Sequence, residues 1–313
     1  MSYVEKQQHG SEAHYYFVKK ISFMKSQLLI KEHIGKQKIP AAKYLLDHHE
    51  RLVEREFALR KEFLEQLDIS YSDLPERVER KAIKIENLID AKNIAQEVHI
   101  EFAKEFIFNS NTIEGSRIPP ERVKEIIDTG DTQHANKNEI REVHNSIRAY
   151  NYLLDGFRFN LASIKRLYYI LTDGLVREGG GAYPRGFKTE PIVVGNEKTT
   201  PPEHVQKELE ALLTWYKQNR KTLHPLQLAF TFHQRYEAIH PFSDANGRTG
   251  RLLMNKILRS GKYPPIIVYK ENKQAYFNAI KKAREGNEKK YMHFMLTQAD
   301  KSYSWLLTVT DKY

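Results

Sequence analysis

Apolar residues recur along most of this chain at three- and four-residue steps, the spacing that places them on one face of an α-helix. In residues 41–67, AAKYLLDHHERLVEREFALRKEFLEQL, Leu45, Leu52, Leu59 and Phe63 stand among charged residues and predict one helix that stops near Asp68. Turn punctuation from Ser70 to Pro75 opens a second long helical stretch running toward Phe108. Further helices are predicted at about 120–129, 138–155, 161–176, 203–219, 225–239, 248–259, 273–285 and 288–311. Two stretches break the pattern. Residues 14–34, HYYFVKKISFMKSQLLIKEHI, mix aromatic and β-branched residues in short alternating pieces and end at Gly35, which predicts a strand pair. Residues 179–202, GGGAYPRGFKTEPIVVGNEKTTPP, are punctuated by glycine and proline around the β-prone Ile192, Val193 and Val194, and predict a hairpin or loop standing off the helices. The triple glycine at 179–181 lacks the spacing of a phosphate loop and reads as a flexible link. The fold class is therefore all-α with small β additions. Along the chain we expect an accessory hairpin-and-helix segment at 1–70, a helical region at 71–159, a core at 160–300 and a helix end at 301–313.

Composition narrows the chemistry. With 313 residues and 40% hydrophobic content, the chain can bury a substantial core in one large domain or two modest ones. It has no cysteine, which excludes disulfides, thiolate nucleophiles and thiolate metal sites. A formal charge of +10 favours acidic ligands. Basic residues are dispersed, and no helix shows a concentrated basic face, which argues against nucleic acid as the partner. No apolar run approaches the roughly 18 residues that span a bilayer, and the polar start MSYVEKQQHGSEAH lacks a secretory apolar stretch. The expectation is a cytoplasmic chain with no membrane partner, with a homo-oligomer left open.

One short stretch gathers unusual chemistry. HPFSDANGRTGR, residues 240–251, lies between two predicted helices. The first opens with Pro225 and carries Leu226, Ala229, Phe230, His233, Tyr236 and Ile239 as a buried stripe. Pro241 disfavours helical geometry at His240, so that imidazole is held at a helix exit. Asn246-Gly247 permits a tight turn into the second helix, whose free N–H groups favour an anion, and Gly247 lets a phosphate approach the backbone. Arg248 and Arg251 add guanidinium forks on neighbouring faces. Asp244 supplies the single carboxylate that a Mg²⁺ ion on phosphate oxygens needs, and a neutral His240 can take a proton from a hydroxyl. Together these point to phosphoryl or nucleotidyl transfer.

The twelve residues resemble the signature of Fic (Fido) domain proteins, H-x-F-x-[D/E]-[G/A]-N-[G/K]-R-x-x-R, with every defining position filled. HPLQLAFTFHQRYEAI, the stretch before TTPP and YFNAIKKAREGN extend the resemblance over about residues 105–300. It implies a helical Fic fold with a β-hairpin flap, and transfer of AMP from ATP to a hydroxyl of a target protein. By the resemblance His240 is the general base, Phe242 anchors the loop, and Asp244 holds Mg²⁺. Asn246, Gly247 and Arg248 line an anion hole, Ala245 and Gly250 join them as nucleotide-binding residues, and Arg251 meets the γ-phosphate. Glycine at 247 favours AMP transfer over the kinase chemistry that goes with lysine there. The 188–200 hairpin would be the flap that pins the target segment, with Ile192, Val193 and Val194 covering target or nucleotide. Tyr276 and Phe277 read either as adenine-side contacts or as core aromatics. Two positions depart from the pattern: Arg284 stands where an amide-like residue is expected, and Tyr168 where many members carry histidine. His233 and His144 read as core or surface residues.

SNTIEGS, residues 110–116, resembles the family's inhibitory motif through Ser110, Glu114 and Gly115. Gly115 also reads as a helix stop that leaves Glu114 in the last turn, where its charge opposes the helix dipole by about 0.3–1 kcal/mol and needs a cationic partner. The resemblance implies Arg251 as that partner, and hence autoinhibition. Removal of AMP by the same glutamate, and an ATP-binding regulatory module with little transferase activity, remain open alternatives.

Overall fold

A sheet of three antiparallel strands, in the order β1-β2-β3, opens the chain: β1 (Ser2–His9), β2 (Glu12–Phe23) and β3 (Ser26–Gly35). The computed structural model describes residues 2–69, 72–131, 136–177, 179–194 and 197–313. The predicted turn start at Ser70 and residues 195–196 of the predicted 188–200 hairpin fall outside these. The strand pair expected within 14–34 is β2 and β3. β1 was not expected, because SYVEKQQH is an edge strand, paired on one side and nowhere fully buried, and so carries no apolar alternation. On β2, Phe17, Lys19, Ile21 and Phe23 alternate toward the core.

Helices follow. The single helix predicted over 41–67 is two, α1 (Ala41–Asp47) and α2 (His49–Arg60), ending in a 3₁₀ turn at Lys61–Leu67. Within α2 Leu52 is buried, but Leu59, two turns on, is 37% exposed, and Glu56 and Arg60 face inward in its place. The next predicted stretch is also divided. Asn93 takes a left-handed conformation (φ 55°) between α3 (Leu74–Lys92) and α4 (Ala95–Glu114). Next come α5 (Pro120–Thr129), α6 (Lys137–Asp155) and α7 (Leu161–Leu171), the last stopping five residues short of prediction as the chain turns through Thr172–Gly174. The flap contributes two short antiparallel strands, β4 (Val193–Val194) and β5 (Glu197–Lys198). Then come α8 (Val205–Asn219), α9 (Pro225–Ile239), α10 (Asn246–Ser260), α11 (Lys273–Arg284) and α12 (Glu288–Lys312). This mostly helical molecule has the all-α class that the spacing predicts.

One hydrophobic core runs from Phe17 in β2 to Val309 in α12. A buried polar network ties the N-terminal sheet to it. Lys19 of β2 donates to Glu56 of α2 at 2.5 Å and to Asn87 of α3. Arg60 bonds Glu56 and reaches Glu79 of α3 at 3.2 Å. Tyr263 donates to Glu79 at 2.6 Å, and His224, the N-cap of α9, lies 3.4 Å away from the same carboxylate. Burial alone would raise Glu79, yet His224, Arg60 and Tyr263 hold it below the ordinary carboxylate range. The start of α9 is thereby fixed against α3, which sets where α9 ends.

Candidate active site

α9 ends at the candidate site. Its C-cap, His240, leaves the right-handed region as Pro241 requires, but enters the left-handed one (φ 50°, ψ 64°). The loop that follows is stapled by its own side chains. Asn246 accepts from the Phe242 N–H at 2.9 Å and donates to the Phe242 carbonyl at 2.8 Å. Phe242 is fully buried and stacks on Tyr168, ring centroids 4.1 Å apart and 3° from parallel. Tyr168 in turn donates to the Pro184 carbonyl at 2.9 Å and so braces the loop. Ala245, buried with φ 57°, caps α10.

A cavity of about 710 Å³ opens beside this junction. It brings together His240, Gly247 in the first turn of α10, Arg251 and Glu114. Flap residues Ile192, Val193 and Val194 line its outer side, and Tyr276 and Phe277 its α11 wall. Tyr276 is also a core residue, its hydroxyl 3.0 Å from His233 Nε2. His233 is fully buried and bonded to Tyr276 and Tyr291, as its reading as a core histidine requires. Other predicted residues do not line the cavity. Asn246 spends its amide on the loop. Gly250 packs against α9, where an added Cβ would stand 2.4 Å from Glu237 Oε1 and 3.1 Å from the Tyr236 ring. Arg248 donates to Glu142 at 2.6 Å and lies 3.5 Å from Asp244.

The segment that resembles an inhibitory motif, residues 110–116, meets the loop directly. Gly115 (φ 114°) stops α4, leaving Glu114 at its end. Arg251, 1% exposed, donates to Glu114 Oε1 at 2.6 Å, to the Ser110 carbonyl at 2.9 Å and to Ser110 Oγ at 3.0 Å. Its Nη1 has no hydrogen-bond partner among the described residues. Glu114 reaches this position only because residue 247 has no side chain: a Cβ there would lie 2.3 Å from Glu114 Oε1.

Charge is distributed unevenly. Burial, then the cations Lys188 and Arg284, push His240 down to about 4, so its imidazole is neutral at physiological pH. Burial pushes Glu237 up to about 7; its Oε2 is 3.8 Å from His240 Nδ1. Arg284 donates to the Glu237 carbonyl from the cavity wall. Glu237, Lys188 and Glu142 were missed in the sequence. Glu237 had a usable signal, lying three residues before His240 and so on the same helical face. Lys188 and Glu142 had none, since each acts across a fold contact.

Among the described residues no cluster of three or more His, Asp or Glu could hold a metal ion by itself. Asp244 is the candidate, with 38% of its side chain exposed. A single carboxylate suits Mg²⁺ only when phosphate oxygens and water complete its shell, so the donor set fits a metal that arrives with a nucleotide.

Residues 158–258 match the Fic/DOC family model. The protein adenylyltransferase Fic of Nematostella vectensis is 25% identical over 274 residues, covering 84% of this chain and 61% of that protein. The protein of the same name from Drosophila yakuba is 32% identical over 125 residues, 40% of this chain and 25% of that one. The chain thus spans less than two thirds of these relatives' length. Among solved structures, a Fic family protein from Desulfovibrio desulfuricans G20 is 26% identical with a TM-score of 0.62, covering 76% of this chain and 75% of that one. A Fic domain containing signaling protein from Bacteroides thetaiotaomicron shares the fold at 19% identity, with a TM-score of 0.65 over 75% of this chain and 97% of that one.

Proposed function

We propose, from the match of residues 158–258 to the Fic/DOC family model, that this chain is an adenylyltransferase that moves AMP from ATP to a hydroxyl of a target protein. The observation that carries this reading is the neutral imidazole of His240 in one cavity with the N-terminal turn of α10 and Arg251. In the reaction the target oxygen bonds to the α-phosphorus, the bond to the β-phosphate oxygen breaks, pyrophosphate leaves, and the hydroxyl proton passes to His240. Backbone N–H groups at Gly247 and Arg248 hold phosphate charge at the helix start. Asp244 would hold Mg²⁺, which supplies charge neutralisation on the phosphates. The exposed flap, with Val193 57% exposed, offers an edge on which an extended target segment can pair.

Glu114 restrains this chemistry by holding Arg251, the guanidinium otherwise free for the γ-phosphate. The test is incubation with ATP labelled at the α- or the γ-phosphate, using wild type, Glu114→Gly and Glu114→Gly with His240→Ala. Adenylyl transfer predicts α-label on protein, raised at least about tenfold in Glu114→Gly and lost with His240→Ala. Incorporation of γ-label, or no label in Glu114→Gly, would overturn the reading. A second reading, hydrolytic removal of AMP from a modified protein, is favoured by one observation: the Glu114 carboxylate is 28% exposed and lines the cavity, where it could orient a water. That reading predicts release of α-label by wild type and not by Glu114→Gly.

A further inference from the structure

A buried ammonium is costly unless its charge is answered by partners. Lys188 is 5% exposed, and its ammonium is held by a hydroxyl and a carbonyl: Nζ donates to Thr199 Oγ1 at 2.6 Å and to the Ile239 carbonyl at 3.2 Å. Among the described residues no carboxylate takes part. Burial, with Arg284 adding to it, pushes the group down to about 8.

Each partner belongs to a different part of the site. Thr199 closes the flap, its hydroxyl donating to the Ile192 carbonyl at 2.7 Å and its N–H to the same oxygen at 3.3 Å. Ile239 is the last residue of α9, immediately before His240. The backbone repeats the connection on both legs. Lys188 N–H donates to the Pro241 carbonyl at 2.9 Å, and Thr200 N–H to the Ala238 carbonyl at 3.2 Å. The flap thus rests on the residues flanking His240, with one ammonium between its two legs and the helix end. His240 is faced by Lys188 from the flap, Arg284 from α11, Glu114 from α4, Asp244 from the loop and Glu237 from its own helix.

We propose that Lys188 is a positioning residue, whose ammonium locks both legs of the flap to the end of α9 and presents its charge to His240. The inference rests on His240 being the proton acceptor of the proposed reaction. Flap closure and base strength are then coupled through one group, so a target segment pairs with an edge that is already registered on the imidazole.

The test needs no turnover, so its outcome is separate from that of the transferase reading. The chain has no cysteine, and Lys188→Cys can therefore be aminoethylated specifically with 2-bromoethylamine in denaturant and refolded, restoring an ammonium at nearly the native length. The controls are the same variant capped with iodoacetamide, and Lys188→Met. The His240 imidazole is titrated by NMR, assigned against His240→Ala, and flap amide exchange is followed over residues 188–200. Without the ammonium, the His240 midpoint should rise by about one pH unit and flap exchange should quicken about tenfold; aminoethylation should reverse both. A folded, uncharged variant whose His240 midpoint or flap exchange matches wild type would overturn the proposal. So would iodoacetamide capping that restores them as well as aminoethylation does.

Discussion

Glu237 shows how a single buried group can record the state of the site. Burial raises its carboxyl to about 7, against an ordinary value of 4.5. Folding therefore favours the protonated form, and the stability tied to that form is complete below about pH 4.5 and is lost as pH rises through 7. Glu237→Gln keeps the shape and removes the titration. In urea denaturation the variant should match wild type in unfolding free energy near pH 4.5 and exceed it at pH 8 by on the order of 1–3 kcal/mol. Equal free energies at pH 8 would mean that Glu237 is not held protonated by its surroundings. Residue-scale chemistry was legible where it is contiguous. His240, Gly247 and Arg251 sit within twelve positions of sequence, and Glu114 was betrayed by Gly115. The structural parts of Asn246 and Gly250 were not legible, because a side chain's partner is a tertiary fact: one staples the loop, the other admits a neighbouring helix.

At the scale of elements, the junction of α9 and α10 depends on close approach. Gly250→Ala would drive a methyl into Glu237 and Tyr236, and the helices must separate or rotamers must shift. The expected loss is about 1–3 kcal/mol in urea denaturation, with cavity function impaired in parallel. A neutral substitution would show that the junction has slack. The helices most legible in sequence, such as α5 and α9, carry proline at their starts and a clear stop. The break between α3 and α4 was illegible because Asn93 enters the left-handed region without glycine or proline to announce it. β1 was illegible for a different reason: an edge strand draws its stability from backbone pairing rather than from an apolar face.

Across the whole molecule, the buried network around Glu79 joins sheet, helices and the start of α9. Removing one member strands the others without water, which typically costs about 3–5 kcal/mol. Glu79→Ala should lower unfolding stability by that amount, and should also loosen α9 enough to raise amide exchange near His240. A loss under about 1 kcal/mol would show that the network is not shared between the N-terminal sheet and the helices α9 and α10. The placement of His240 thus depends on contacts far from the cavity, and this long-range dependence was invisible in the sequence. Lys19, Glu56 and Glu79 look like solvated helix or strand charges until the fold brings them together.

The most direct measurement is a crystal structure of Glu114→Gly soaked with ATP and magnesium. With Arg251 released, the triphosphate should lie across the start of α10 with its γ-phosphate on Arg251 and its α-phosphorus facing the His240 imidazole. An empty cavity, or a bound nucleotide whose α-phosphate is out of reach of His240, would contradict the proposed chemistry.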